Sequence, residues 1–301
     1  MSEGEQGAAI GQPLTLDLAP RLGPRLAARL QGLGEQAIAD LSYANLWLFR
    51  RVHDYRFIDG GWPAISGLTY DGQRHLLPLF APHTAPTGVL QTLMADHAAM
   101  FPLTEVEARA LDPAHWAIEA HRDDADYLYP ADHFRHYRGT ALQKKRNLMK
   151  QCRAAHVLEV VPYDSADARH QQAALAVLEG WSADKGKAPG DADDLPCREA
   201  LSLAPFLGLA GHIAWADGEP AGFVLGELLQ PGVAVIRFAK GLTRFKGISQ
   251  LLFHHFASDP PFPVHWMNFE QDLGLENFRR TKQSYQPSAL LPKFRASLRS
   301  S

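Results

Sequence analysis

Cysteine is nearly absent: Cys152 and Cys197 are the only two in 301 residues. They form no CxxC pair and stand at no ligand spacing from a histidine. That excludes a disulfide scaffold and a cysteine metal centre, and fits two reduced thiols. The 14 histidines include no HxxxH or HExxH pattern, so no metal is expected. No apolar run approaches the ~20 residues of a membrane span. Positive charge is not in excess, since the formal net charge is -3, so any anion binding must be local. Walker loops and Rossmann fingerprints are also missing. Residues 1–12 lack the apolar core of a signal peptide. Residues 1–13 are therefore expected to be disordered and the protein to be soluble and cytoplasmic.

What is present is a globular composition, 46% hydrophobic and 21% charged, long enough for two domains of ordinary size. Leu18, Leu22, Leu26 and Leu30 recur at helical spacing. Strand-like runs follow at 55–58, 65–70 and 75–80, split by Gly60-Gly61 and Asp71-Gly72, with a helix expected over 88–100. Residues 117–129 read as one or two strands around the acidic turn Asp123-Asp124. The second half repeats the pattern: strands at 212–216, 221–229 and 233–240, a helix at 249–257 and a strand at 265–269. Two α+β lobes are predicted, residues 14–138 and 139–301.

Three segments carry candidate chemistry. Arg244-Phe245-Lys246-Gly247-Ile248-Ser249 falls between a strand and a helix. Backbone N–H groups there converge with the positive helix end, and glycine permits close approach of a phosphate. It is either an anion site formed by Arg244, Lys246, Gly247 and Ser249 or an ordinary turn. Around Lys144, Lys145, Arg146 and Asn147, no acidic residue occurs between Phe134 and His156. This helix is either a solvated face or the contact for a polyanion such as a tRNA backbone, a nucleotide or a lipid headgroup. Asn268, Glu270 and Asp272 alternate at a strand end, where a carboxylate could take a proton from an attacking amine or hydroxyl. The alternative is a helix capped by Asp272.

These segments, with Asp124-Ala125-Asp126-Tyr127-Leu128-Tyr129, Leu41 to Trp47 and Leu275 to Tyr285, resemble the DUF2156 group, proteins related to the C-terminal domain of phosphatidylglycerol lysyltransferase. The resemblance spans roughly residues 14–292. It implies a tandem GNAT fold of two mixed sheets flanked by helices. It implies transfer of an aminoacyl or acyl group to an amine or hydroxyl, with Arg237 and Lys282 at anion-holding positions. The expected donor is aminoacyl-tRNA or acyl-CoA, with no tightly bound cofactor. Expected partners are tRNA, a phosphate-bearing small molecule or an anionic lipid headgroup. An acetyl-CoA-dependent N-acetyltransferase and a non-catalytic binding module remain alternatives on the same fold.

Overall fold

The computed structural model describes residues 10–186 and 193–299. Two compact units emerge: residues 1–29, 40–121 and 292–301 in one, residues 30–39 and 122–291 in the other. The expected break at Arg138-Gly139 thus falls inside the second unit.

The first unit begins with β1 (Gln12–Pro13) and α1 (Ala19–Leu30), then α2 (Tyr43–Phe49). Strands β2 (Arg56–Ile58), β3 (Ala64–Leu68) and β4 (Arg74–Pro78) form an antiparallel meander. Helix α3 (Thr87–Leu93) crosses over to β5 (Ala99–Leu103), parallel to β4, and α4 (Glu105–Arg109) and β6 (Trp116–Ala120) follow. Leu22, Leu26 and Leu30 of α1 are buried, as their spacing predicts. The stretch expected to be one helix over 88–100 is instead α3 plus the start of β5. Residues 99–103 pack as a buried strand against β4 and the C-terminal strand. Expected disorder over 1–13 lies outside the described residues except at its end. There Gln12 and Pro13 pair with Phe57 and Arg56.

The second unit holds β7 (Asp126–Pro130), α5 (Ala131–His136), α6 (Gln143–Ala155), β8 (Leu158–Pro162), α7 (Ala168–Asp184) and α8 (Asp194–Leu203). Its meander is β9 (Leu209–Ala216), β10 (Glu219–Gln230) and β11 (Gly232–Gly241). Helix α9 (Ile248–Ser258) crosses to β12 (Val264–Asn268), parallel to β11. Then come α10 (Glu276–Gln283) and β13 (Ala289–Leu291), after which the chain returns to the first unit with β14 (Phe294–Leu298).

Both sheets are mixed and share one plan. The first runs β1-β2-β3-β4-β5-β14-β6 and the second β13-β7-β12-β11-β10-β9-β8. In each, a three-strand meander leads through a helix to a parallel strand, and an antiparallel strand from elsewhere in the chain extends the sheet. That added strand is β14 in the first sheet and β7 in the second. Separate cores support them: Leu76, Leu90, Met100 and Trp116 in one, Phe134, Val224, Phe256 and Met267 in the other.

Candidate functional site

Strands β11 and β12 pair only as far as Val235 and Asn268, while β11 continues to Gly241. Beyond that point they share no ladder. Opposite β10, the register shifts between Leu225 and Gly226, and Arg237 is the extra residue of the resulting bulge. The bulge turns Arg237 into the protein. Its fully buried guanidinium donates to Glu227 Oε1 (2.6 Å), to Glu270 Oε1 and to the Ala39 carbonyl (2.6 Å). Burial disfavours its charge, but Glu227 and Glu270 outweigh that and its pKa is raised.

Glu270 follows directly on this strand end. Its backbone lies in the left-handed region (φ 58°), rare outside glycine. Asn268 Oδ1 accepts from the Glu270 N–H at 2.7 Å. Asn268 Nδ2 in turn donates to buried Asp126 Oδ2 at 3.0 Å, an oxygen that also accepts from the Ala39 N–H. The Glu270 side chain keeps 22% exposure. Burial pushes its carboxyl up, against the lowering influence of Arg237 and Lys282. Of the three alternating residues, Glu270 alone keeps a partly exposed side chain; Asn268 holds its backbone.

Asp272 plays another part. Its buried carboxylate accepts from Tyr127 Oη (2.7 Å), Arg279 Nε (3.0 Å), Arg122 Nη1 (3.1 Å) and the Gly274 N–H (2.9 Å). Burial alone would raise its pKa. The hydrogen bonds from Arg279, Tyr127 and Gly274, with the Arg122 charge, overcome this and hold it at about 2. Such a carboxylate is a fastener rather than a base. Lys282, expected to hold a substrate anion, points its ammonium at the loop. It donates to the carbonyls of Phe269 (2.6 Å), Glu270 (3.1 Å) and Gln271 (2.5 Å). Those three acceptors match the three protons it carries.

The Arg244–Ser249 loop also departs from expectation. Gly247 caps α9 at φ 98°, but the neighbour pressed against it is α6. A Cβ there would lie 2.1 Å from the Leu148 carbonyl oxygen and 3.1 Å from Cys152 Cβ. Helix packing therefore demands this glycine and occupies the approach assigned to a phosphate. Asp184 Oδ2 accepts from both the backbone N–H (2.9 Å) and the hydroxyl (2.8 Å) of Thr243, so a protein carboxylate is already bonded to the loop. Arg244 is exposed and paired with Glu219 (2.9 Å), Lys246 is exposed, and Ser249 packs against Gly241.

On α6 the basic residues part company. Lys144 and Asn147 face solvent. Arg146 Nη1 donates to the Tyr137 carbonyl at 2.6 Å. Lys145 lies half-buried with Nζ 3.9 Å from the Tyr285 ring centroid. Burial, helped by the Lys144 charge, lowers its pKa to about 8.

Sequence reasoning did not single out Glu227, Asp126, Arg122, Tyr127 or Arg279 as site residues. A signal for Glu227 existed: it is the one acid within the apolar run 221–229.

A meander, crossover helix and parallel strand that part at their C-terminal ends, present twice, define a tandem GNAT fold. The sequence profile of phosphatidylglycerol lysyltransferase, C-terminal, matches residues 32–297, and the chain belongs to that family. A conserved protein of unknown function from Bacteroides thetaiotaomicron VPI-5482 shares the fold, with TM-score 0.78 and 23% identity over 96% of this chain and 99% of its own. The C-terminal domain (DUF2156) of a putative lysylphosphatidylglycerol synthetase from Agrobacterium fabrum superposes with TM-score 0.60 at 14% identity, over 92% and 93% of the two chains. A tandem GNAT protein from the clavulanic acid biosynthesis pathway gives TM-score 0.50 at 12% identity, covering 96% and 99%. No curated protein matches in sequence.

Proposed function

We propose that this protein transfers an aminoacyl or acyl group to an amine or hydroxyl, with Glu270 as the proton acceptor. The observation that carries the reading is the Glu270 carboxyl itself. It stands where two parallel strands diverge, partly exposed, against a buried arginine and on a fixed left-handed backbone. Its pKa is raised by burial, the direction that makes a carboxylate a stronger base. Arg237 orients it, and Glu227 neutralises that arginine when Glu270 takes up a proton. The surroundings are polar, unlike the apolar plug expected of an inert binding module.

For the donor, an aminoacyl ester on tRNA is the reading we favour. Lys144, Lys150 and Arg153 are exposed on a helix without acidic residues, as contact with a phosphate backbone requires. Acyl-CoA is the second reading, favoured by the parting of β11 and β12; the close packing at Gly247 weighs against it.

The test is a transfer assay with charged tRNA or acetyl-CoA as donor, and simple amines, hydroxyl compounds or phosphatidylglycerol as acceptor. Glu270→Gln is expected to cut turnover by roughly 10²-fold or more, the usual worth of a general base. Arg237 keeps Glu227, so the melting temperature should move by only a few degrees. Undiminished turnover in the folded variant would overturn the assignment.

A further inference from the structure

Helix α6 and the Leu142 that caps its start turn four residues inward at helical spacing: Leu142, Lys145, Met149 and Cys152. The other three belong to the apolar core of their unit. Lysine at such a position forfeits hydration, and a carboxylate normally compensates. Here none does. Among the described residues, Lys145 makes no hydrogen bond or ion pair, and its contact is the face of Tyr285 at 3.9 Å. The Tyr285 hydroxyl accepts from Gln250 Nε2 at 2.7 Å, which fixes the ring beneath the amine. The neighbouring charges on the helix, Lys144 and Arg146, are both cations, and Lys150 adds another one turn on. Repulsion and burial both favour the neutral amine, in keeping with its lowered pKa. The same cations attract phosphate.

We propose that Lys145 is an acylation site that captures acyl groups from phosphate-bearing donors. The neutral amine attacks the acyl carbonyl and a C–N bond forms. The bond from that carbon to the donor's phosphate oxygen, or to its thiol sulfur, breaks, and the leaving group departs with the electron pair. The surplus proton on nitrogen passes to solvent. The product is an uncharged amide over the Tyr285 ring, so acylation removes one positive charge from the basic helix. None of this requires Glu270.

The full-length protein is incubated at pH 7.5 with acetyl phosphate or, separately, acetyl-CoA, and each lysine is followed by peptide mass spectrometry. Lys145 is expected to acetylate roughly tenfold or more faster than exposed Lys185 and Lys246, because far more of its amine is neutral than at an ordinary lysine. The reagent that labels it identifies the donor. Excess inorganic phosphate should slow Lys145 and spare Lys185. Glu270→Gln protein should label at the same rate, which separates this site from the transfer reading. Equal rates at Lys145 and the exposed lysines with both reagents overturn the proposal, and indifference to phosphate overturns guidance by the helix.

Discussion

At the scale of residues, the two carboxylates of the Glu270 loop have been driven in opposite directions by their neighbours. Asp272 accepts five hydrogen bonds, four from side chains and one from the backbone. Its folded pKa, about 2, lies below the ~3.9 of an unfolded chain. Between those values the unfolded state binds more protons, so stability falls as pH drops from about 4 toward 2. Above pH 4 the contribution is fully present. Acid titration of wild type and Asp272→Asn by circular dichroism should therefore give curves that converge at low pH. At neutral pH the variant is expected to lose roughly 3–5 kcal/mol, the scale of breaking a buried ion pair. Curves that stay parallel down to pH 2 would show that Asp272 does not fasten the loop.

Elements show where sequence reasoning reached and where it stopped. Periodicity placed the second meander, α6, α9 and β12 because each carries its own apolar pattern. Strand β5 was hidden because only the short polar step Asp96-His97 separates its apolar residues from those of α3, and a short buried strand has no alternation to betray it. Asn268 and Glu270 were legible as a polar step after an apolar strand. The duties of Asp272, Lys282 and Gly247 were not, because each depends on a contact made by a distant segment: Arg122 and Tyr127, the 269–271 carbonyls, and α6. Two outcomes follow. Gly247→Val would force a β-branched side chain to φ 98° and into the Leu148 carbonyl. It should cost at least roughly 3 kcal/mol from strain and overpacking together, read in urea unfolding; an unchanged midpoint would free the loop from α6. Lys282→Met should release the 269–271 carbonyls and lower turnover by loosening Glu270, without raising the KM for a phosphate-bearing substrate. A higher KM with turnover intact would restore the anion-holding role implied by the family resemblance.

At the scale of the whole molecule, the chain's path matters more than any single contact. It leaves the first unit after β6, builds the second, and returns at residue 292 to supply β14. That strand is interior, paired with β5 on one side and β6 on the other. Its residues, and Lys293 just before it, are anchored as well as hydrogen-bonded. Ala296 is fully buried, Lys293 is buried in an ion pair with Asp40, and Arg295 donates to Asp71 at 3.0 Å. Without β14, the backbone groups of β5 and β6 that face it lose their partners inside the sheet, at about 1–3 kcal/mol for each group left buried and unsatisfied. Those losses would exceed what the remaining core can offset in a unit of this size. Deleting residues 292–301 should therefore abolish amide-exchange protection at 99–103 and 116–120. The second sheet takes none of its strands from that segment, so residues 213–216 and 233–236 should stay protected. Hydrogen exchange with peptide-level mass spectrometry reads both regions in one experiment. Persisting protection at 99–103 in the truncated chain would mean that the first sheet closes without its C-terminal strand.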